Sequence, residues 1–104
     1  MTELLQQIRA LISASARDID QIERTLTDGY AHALSLEAER SRIERRMAEV
    51  THGIQTGDTA KKANELAVLS ERLDGTHGDL TMLRALLGDL RRHAEDVRVG
   101  SPSR

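Results

Sequence analysis

Apolar residues recur through the first half of the chain in alternating steps of three and four, the spacing that gathers one stripe on a helix. With a and d marking the stripe positions of a heptad, a falls on Leu5, Ile12, Ile19, Leu26, Ala33, Arg40 and Met47. The d positions fall on Ile8, Ser15, Ile22, Gly29, Leu36, Ile43 and Val50. The phase never slips, no proline interrupts residues 1–51, and Gly29 is the one glycine among them. This predicts a single helix over about residues 2–52, roughly 75 Å long at about 1.5 Å per residue. A second stripe places Leu66, Leu73, Leu80, Leu87 and Ala94 at a, and Leu69, Thr76, Leu83, Leu90 and Val97 at d. It predicts a helix over about residues 59–98.

Between the two lies the turn, expected over about residues 53–58, where Gly53 and Gly57 stop one helix and Asp58 or Thr59 can cap the next. Asp28-Gly29-Tyr30 and the stretch from Asp74 to Asp79, with Gly75 and Gly78, are weaker break candidates. A loop at either would usually shift the heptad phase, and neither does, so both are read as helix. Residues 100–104 read as a frayed, flexible tail.

Folding the second helix back on the first brings a against d. Leu26 then meets Leu83, Ile19 meets Leu90, Ile43 meets Leu66, and Leu80 fills the gap at Gly29. The flanking residues give a separate check on this register. Glu39 faces Arg72, Arg46 faces Glu65, Glu23 faces Arg84 and Asp18 faces His93, all complementary, and such pairs select orientation more than they stabilise. The fold class expected is all-α: an antiparallel two-helix hairpin, a long coiled coil, forming one domain over residues 1–99. The same pairing can be made between two chains.

Composition supports an elongated helical form. The 104 residues are 38% hydrophobic but only 1% aromatic, with Tyr30 alone, and leucine seams need no aromatic volume. Charged residues make up 31%, both signs are interspersed, and the net charge is −2, so no global field draws in nucleic acid or an acidic membrane. The absence of cysteine removes disulfides and thiolate chemistry. No apolar run approaches the roughly 20 residues of a membrane span, and the first residues lack a signal pattern. A cytoplasmic location, without membrane association, is the expectation.

In the expected register about the first ten residues overhang their partner. Leu4, Leu5, Ile8 and Leu11, with Met82 and Leu86 toward the same end, then form an uncovered leucine-rich surface. Exposed apolar surface of that kind marks association. Homodimerisation into a four-helix arrangement is its first reading, higher oligomers follow, and docking of another protein's amphipathic helix is the alternative. Tyr30 and Leu34 form a smaller patch.

Chemistry is sparse. The four histidines, His32, His52, His77 and His93, lack the i, i+3 or i, i+4 spacing of a metal pair. Glu49-x-x-His52 is single and sits on the outer face, whereas a carboxylate-bridged metal site needs two such motifs. No serine has an activating acid and base arranged around it, and no glycine-rich phosphate loop is complete. The sequence therefore predicts no catalytic, cofactor or metal site, and no enzyme. Arg40 at a seam position is read as snorkelling toward Glu37, Glu44 or Glu71. Arg42, Arg45, Lys61 and Lys62 make the turn-proximal end locally basic, with Glu44, Glu49 and Asp58 interspersed and no aromatic to stack on bases.

These features converge on a non-enzymatic interaction or assembly module, a coiled-coil adaptor that self-associates through its leucine-rich open end. A nucleic-acid or RNA-polymerase-associated factor using the basic tip is a second reading, with nucleic acid disfavoured as a partner. A helical binder like an export chaperone is a third.

Overall fold

Asp18 interrupts what the heptad phase reads as one helix. Its Oδ1 accepts the backbone N–H of Gln21 at 3.2 Å, and its carbonyl accepts that of Ile22 at 3.1 Å. This is an N-terminal cap, which satisfies donors that the first turn of a helix leaves unpaired. The computed structural model describes residues 1–14, 17–54, with Ile54 by its backbone alone, and 57–99. Among them the chain is all-helical, with α1 over Thr2–Ser13, α2 over Ile19–Ile54 and α3 over Thr59–Val99.

The helix expected over residues 2–52 is therefore two helices. α1 closes at Ala14 (φ −80°, ψ −3°), whose N–H donates to the Ala10 carbonyl at 3.0 Å. Separation lets α1 bury Leu5, Ile8 and Leu11 within its own chain. Burying an apolar side chain of that size contributes about 1.5–3 kcal/mol. Three of them outweigh the few helical hydrogen bonds forgone, at about 0.5–1.5 kcal/mol each, part of which Asp18 restores.

α2 continues through Gly53, and Gln55 and Thr56 of the expected turn lie outside the described residues, as do Ser15 and the tail 100–104. Gly57 (φ +120°) and Asp58 (φ +54°) take left-handed backbone, open to glycine and tolerated by aspartate. The Asp58 carbonyl then accepts the Lys62 N–H at 3.2 Å to open α3, while Lys62 Nζ donates to the Gly53 carbonyl at 2.7 Å near the end of α2. α3 runs unbroken through Gly75 and Gly78.

The chain divides into two compact units. The first takes in Met1–Ala33 and Thr81–Arg104, the second Leu34–Leu80. In the first, all three helices supply buried residues: Leu5, Ile8 and Leu11 from α1, Ile22, Thr25, Leu26 and Ala33 from α2, and Leu83, Leu87, Leu90 and Ala94 from α3. Thr25 lies beside the a/d stripe, and its burial shows a wider face covered on α2 than one partner helix would cover. Gly29 marks the close approach of α2 to α3: a Cβ there would come within 2.3 Å of Leu87 Cδ2. Leu87, one heptad beyond the Leu80 expected, fills that notch. Both leucines occupy a positions, so the pattern alone weighs them equally. Glu23 pairs with Arg98, a contact that the register does not anticipate.

In the second unit the segments of α2 and α3 run antiparallel, since Glu39 meets Arg72 and Arg46 meets Glu65. The core is thin. Ile43, Val50 and Leu69 form one cluster, with Met47, Leu66 and Leu73 packed against it but only partly buried, and Leu80 is buried at the end of the unit.

Candidate interaction surface

The leucine-rich end expected to stand open is largely occupied by the chain itself. Leu5, Ile8 and Leu11 are buried, and Leu4 and Leu86 are partly so. Met82 stays 45% exposed, and its Sδ accepts a 3.5 Å contact from Arg9 Nη2, which ties α1 to α3. The overhang fails as an exposed stripe because the break before Asp18 frees α1 to cover the apolar faces of α2 and α3.

In the second unit, where no third helix is present, apolar residues along and beside the seam stay uncovered. Leu36, Met47, Leu66 and Leu73 are partly exposed, Leu34 is 67% exposed and Val68 56% exposed. The two sides of this seam differ. On the side of the g positions, Arg46 Nε and Nη2 both reach Glu65 Oε2 at 2.8 Å, and Arg72 Nη2 reaches Glu39 Oε2 at 2.9 Å. Arg42 adds a second contact to Glu39 at 2.9 Å, and Arg46 also reaches Glu49 at 3.3 Å. The hydrogen bond from Arg42, then that from Arg72, holds the Glu39 carboxyl below the ordinary carboxylate range. Glu65, then Glu49, raises Arg46 further above its already high value.

The opposite side, that of the e positions, has instead an open hollow of about 360 Å³ lined by Arg40, Glu44, Leu73, Asp74 and His77. Arg40, the one charge in the expected seam of α2, is half-buried there beside Glu44. Leu34 belongs to the same side, one step around the helix from the e row, whereas Val68 flanks the ion-paired side. Val68 escapes the sequence reading because it stands outside the a/d stripe; its only signal is a single branched apolar residue at an outer position.

The basic residues near the turn divide by role. Lys62 fastens the end of α2 through the Gly53 carbonyl, and Arg42 is paired with Glu39, so both act in the fold. Arg45 and Lys61 are exposed. Two exposed cations with acidic residues between them are the ordinary pattern of a solvated helix face.

Among the described residues no group of three or more histidines or carboxylates converges to hold a metal ion, and no helix is long and apolar enough to cross a membrane. In the first unit, Asp20, Glu23, Arg24, Thr27 and Asp28 line a second open hollow along α2, without a histidine or a nucleophile activated by a base. No family model matches the chain, and neither a curated protein nor a solved structure matches it at a significant level.

Proposed function

We propose that this chain is a non-enzymatic helical interaction module that self-associates, and that the surface it uses is the hollow side of the second unit, centred on Leu73 and Leu34. Two hairpins of α2 and α3 pair there into a four-helix arrangement. One observation carries the reading. Where α1 supplies a third helix, the middle of the apolar stripe is enclosed and only Ile12, Ile19 and Val97 near the helix ends are partly exposed; where it does not, Leu36, Leu66 and Leu73 stay partly exposed along the seam. Apolar surface left open along a seam is what association covers. The ion pairs close the other side, so the hollow side is the one on which a second copy fits.

Light scattering across a dilution series tests this. The expected outcome is a two-chain mass for the wild type that falls to one chain on dilution. Leu34→Glu, at a side chain already mostly in solvent, is expected to give a single-chain mass with helicity unchanged. Val68→Glu, on the ion-paired side, is expected to keep the two-chain mass. A wild type that is one chain at every concentration would overturn the reading, and so would equal effects of the two substitutions.

A further inference from the structure

The heptad phase and the structure disagree at one place, and the disagreement has content. Leu5, Ile8 and Ile12 of α1 stand in the same phase as Ile19, Ile22 and Leu26 of α2, although the chain leaves the helix between them. A connection of arbitrary length keeps the phase only about one time in seven. No proline or glycine occurs before Gly29, so nothing in the sequence forbids a helix running from α1 into α2. The described start of α2 rests on the Asp18 cap, with one side-chain hydrogen bond at 3.2 Å.

We propose that α1 is exchanged between two copies of this chain when they fold together at high concentration, each α1 joining its own α2 as one helix and seating in the first unit of the other copy, whereas a chain folded in dilute solution keeps its α1 to itself. The seat is already shaped for that occupant. Leu5, Ile8 and Leu11 are buried in it, and Arg9 reaches Met82. Exchange returns each of these contacts with an identical partner, so little is lost except the cap, and the helix gains continuity. A two-fold arrangement satisfies both copies at once, which is the ordinary route to an exchanged dimer. Continuous phase gives the joined helix an apolar stripe without a stutter.

This inference uses α1 and the first unit only, so it stands or falls apart from association through the second. The chain has no cysteine, which makes a directed cross-link clean. Arg9→Cys and Met82→Cys are placed in separate chains of different length, both carrying Leu34→Glu so that association through the second unit is suppressed. The two are unfolded together, refolded at high concentration and treated with a short thiol-to-thiol cross-linker. The expected product is a covalent pair of one long and one short chain, far above the yield of either chain alone. Asp18→Ala, which removes the cap, is expected to increase that product several-fold, whereas Asp18→Asn, which keeps a capping oxygen, is expected to leave it near the starting level. Absence of the mixed product, with the doubly substituted chain linking only within itself, would overturn the proposal. An Asp18→Ala yield no higher than that of Asp18→Asn would overturn it too.

Discussion

α2 and α3 are packed in two different ways along their lengths. In the first unit their stripes are mostly enclosed: Ile22, Leu83 and Leu90 have no exposed surface, Thr25 beside the stripe is buried as well, α1 contributes Ile8, equally sealed, and only Ile19 and Val97 near the helix ends are partly open. In the second unit Ile43, Val50, Leu69 and the terminal Leu80 are buried, but Leu66, Leu73 and Met47 are partly open. The heptad is equally regular in both. Regularity of the stripe therefore says that a helix has partners, while the width of the buried face says how many. Cross-helix ion pairs occur in both, Glu23 with Arg98 in the first unit, and Glu39 with Arg72 and Arg46 with Glu65 flanking the thin core of the second. There they add direction to a seam that apolar packing alone specifies weakly.

The widest separation between the two regions is expected from truncating their leucines. Leu90→Ala in the first unit leaves a cavity with no solvent access and is expected to cost about 2–5 kcal/mol. Leu73→Ala removes a side chain already partly in water, and in dilute solution about 1 kcal/mol is expected. Urea denaturation of both variants at low protein concentration checks the contrast, and equal losses would show that the enclosure of the first unit adds nothing. Repeating Leu73→Ala at high concentration sharpens it. If a second copy covers this leucine, its apparent cost grows with concentration, because association stabilises only the folded chain that can make it.

Glycine substitutions are expected to separate the regions by sign. At Gly29 a methyl group would fall 2.3 Å from Leu87 Cδ2, and Leu87 is itself only 2% exposed, so its side chain has little room to move aside. Gly29→Ala is expected to destabilise by about 1–3 kcal/mol through overpacking, despite the better helix propensity of alanine. At Gly75 and Gly78 nothing lies within 4 Å of the added atom. Each alanine there is expected to stabilise by about 0.5–1 kcal/mol, the ordinary difference in a helix interior. Thermal melts of the three variants give the answer directly, and a Gly75→Ala or Gly78→Ala chain that melts earlier would mean that a neighbour is close to that face.

Much of this was legible in the residues. Helical periodicity places α2 and α3 within a few residues of where they lie, and the charge pattern anticipates Glu39 with Arg72 and Arg46 with Glu65. The end of α1 was not, because heptad phase detects insertions and the connection before Asp18 is phase-neutral. The local signal was nonetheless present: Asp18 followed three residues later by Gln21 is the spacing of a helix start, and Ser13 precedes it. The apolar surface at that end depends on this break, since an unbroken helix leaves Leu5, Ile8 and Leu11 overhanging, whereas a separate α1 buries them. The partner of Gly29 was illegible for another reason. Leu80 and Leu87 differ by one heptad, and only the approach of two backbones selects between them.

The smallest effect tests what the ion-paired side of the second unit contributes. Glu39 accepts from Arg42 and Arg72, and these contacts hold its carboxyl below the ordinary range in the folded chain. A depressed folded value means that folding releases a proton wherever the unfolded carboxyl still holds one. The contribution is therefore complete at neutral pH, where the carboxyl is ionised in both states, and it is lost as pH falls through the folded value. Glu39→Gln is expected to melt slightly earlier than the wild type at neutral pH and to match it in acid, once both carry a neutral side chain. The pair is open to solvent on both sides of the contact, so the gap is expected to be small and to shrink as salt is added. A gap that persists in acid would assign the role of Glu39 to packing of its methylene groups. A charge exchange separates register from stability: Arg72→Glu alone sets two carboxylates against each other, and adding Glu39→Arg restores attraction across the same helices. If the restored chain regains the wild-type melt at low salt while the single variant does not, the pair acts by choosing the alignment of α2 and α3 within this unit, where the thin core leaves that choice most open.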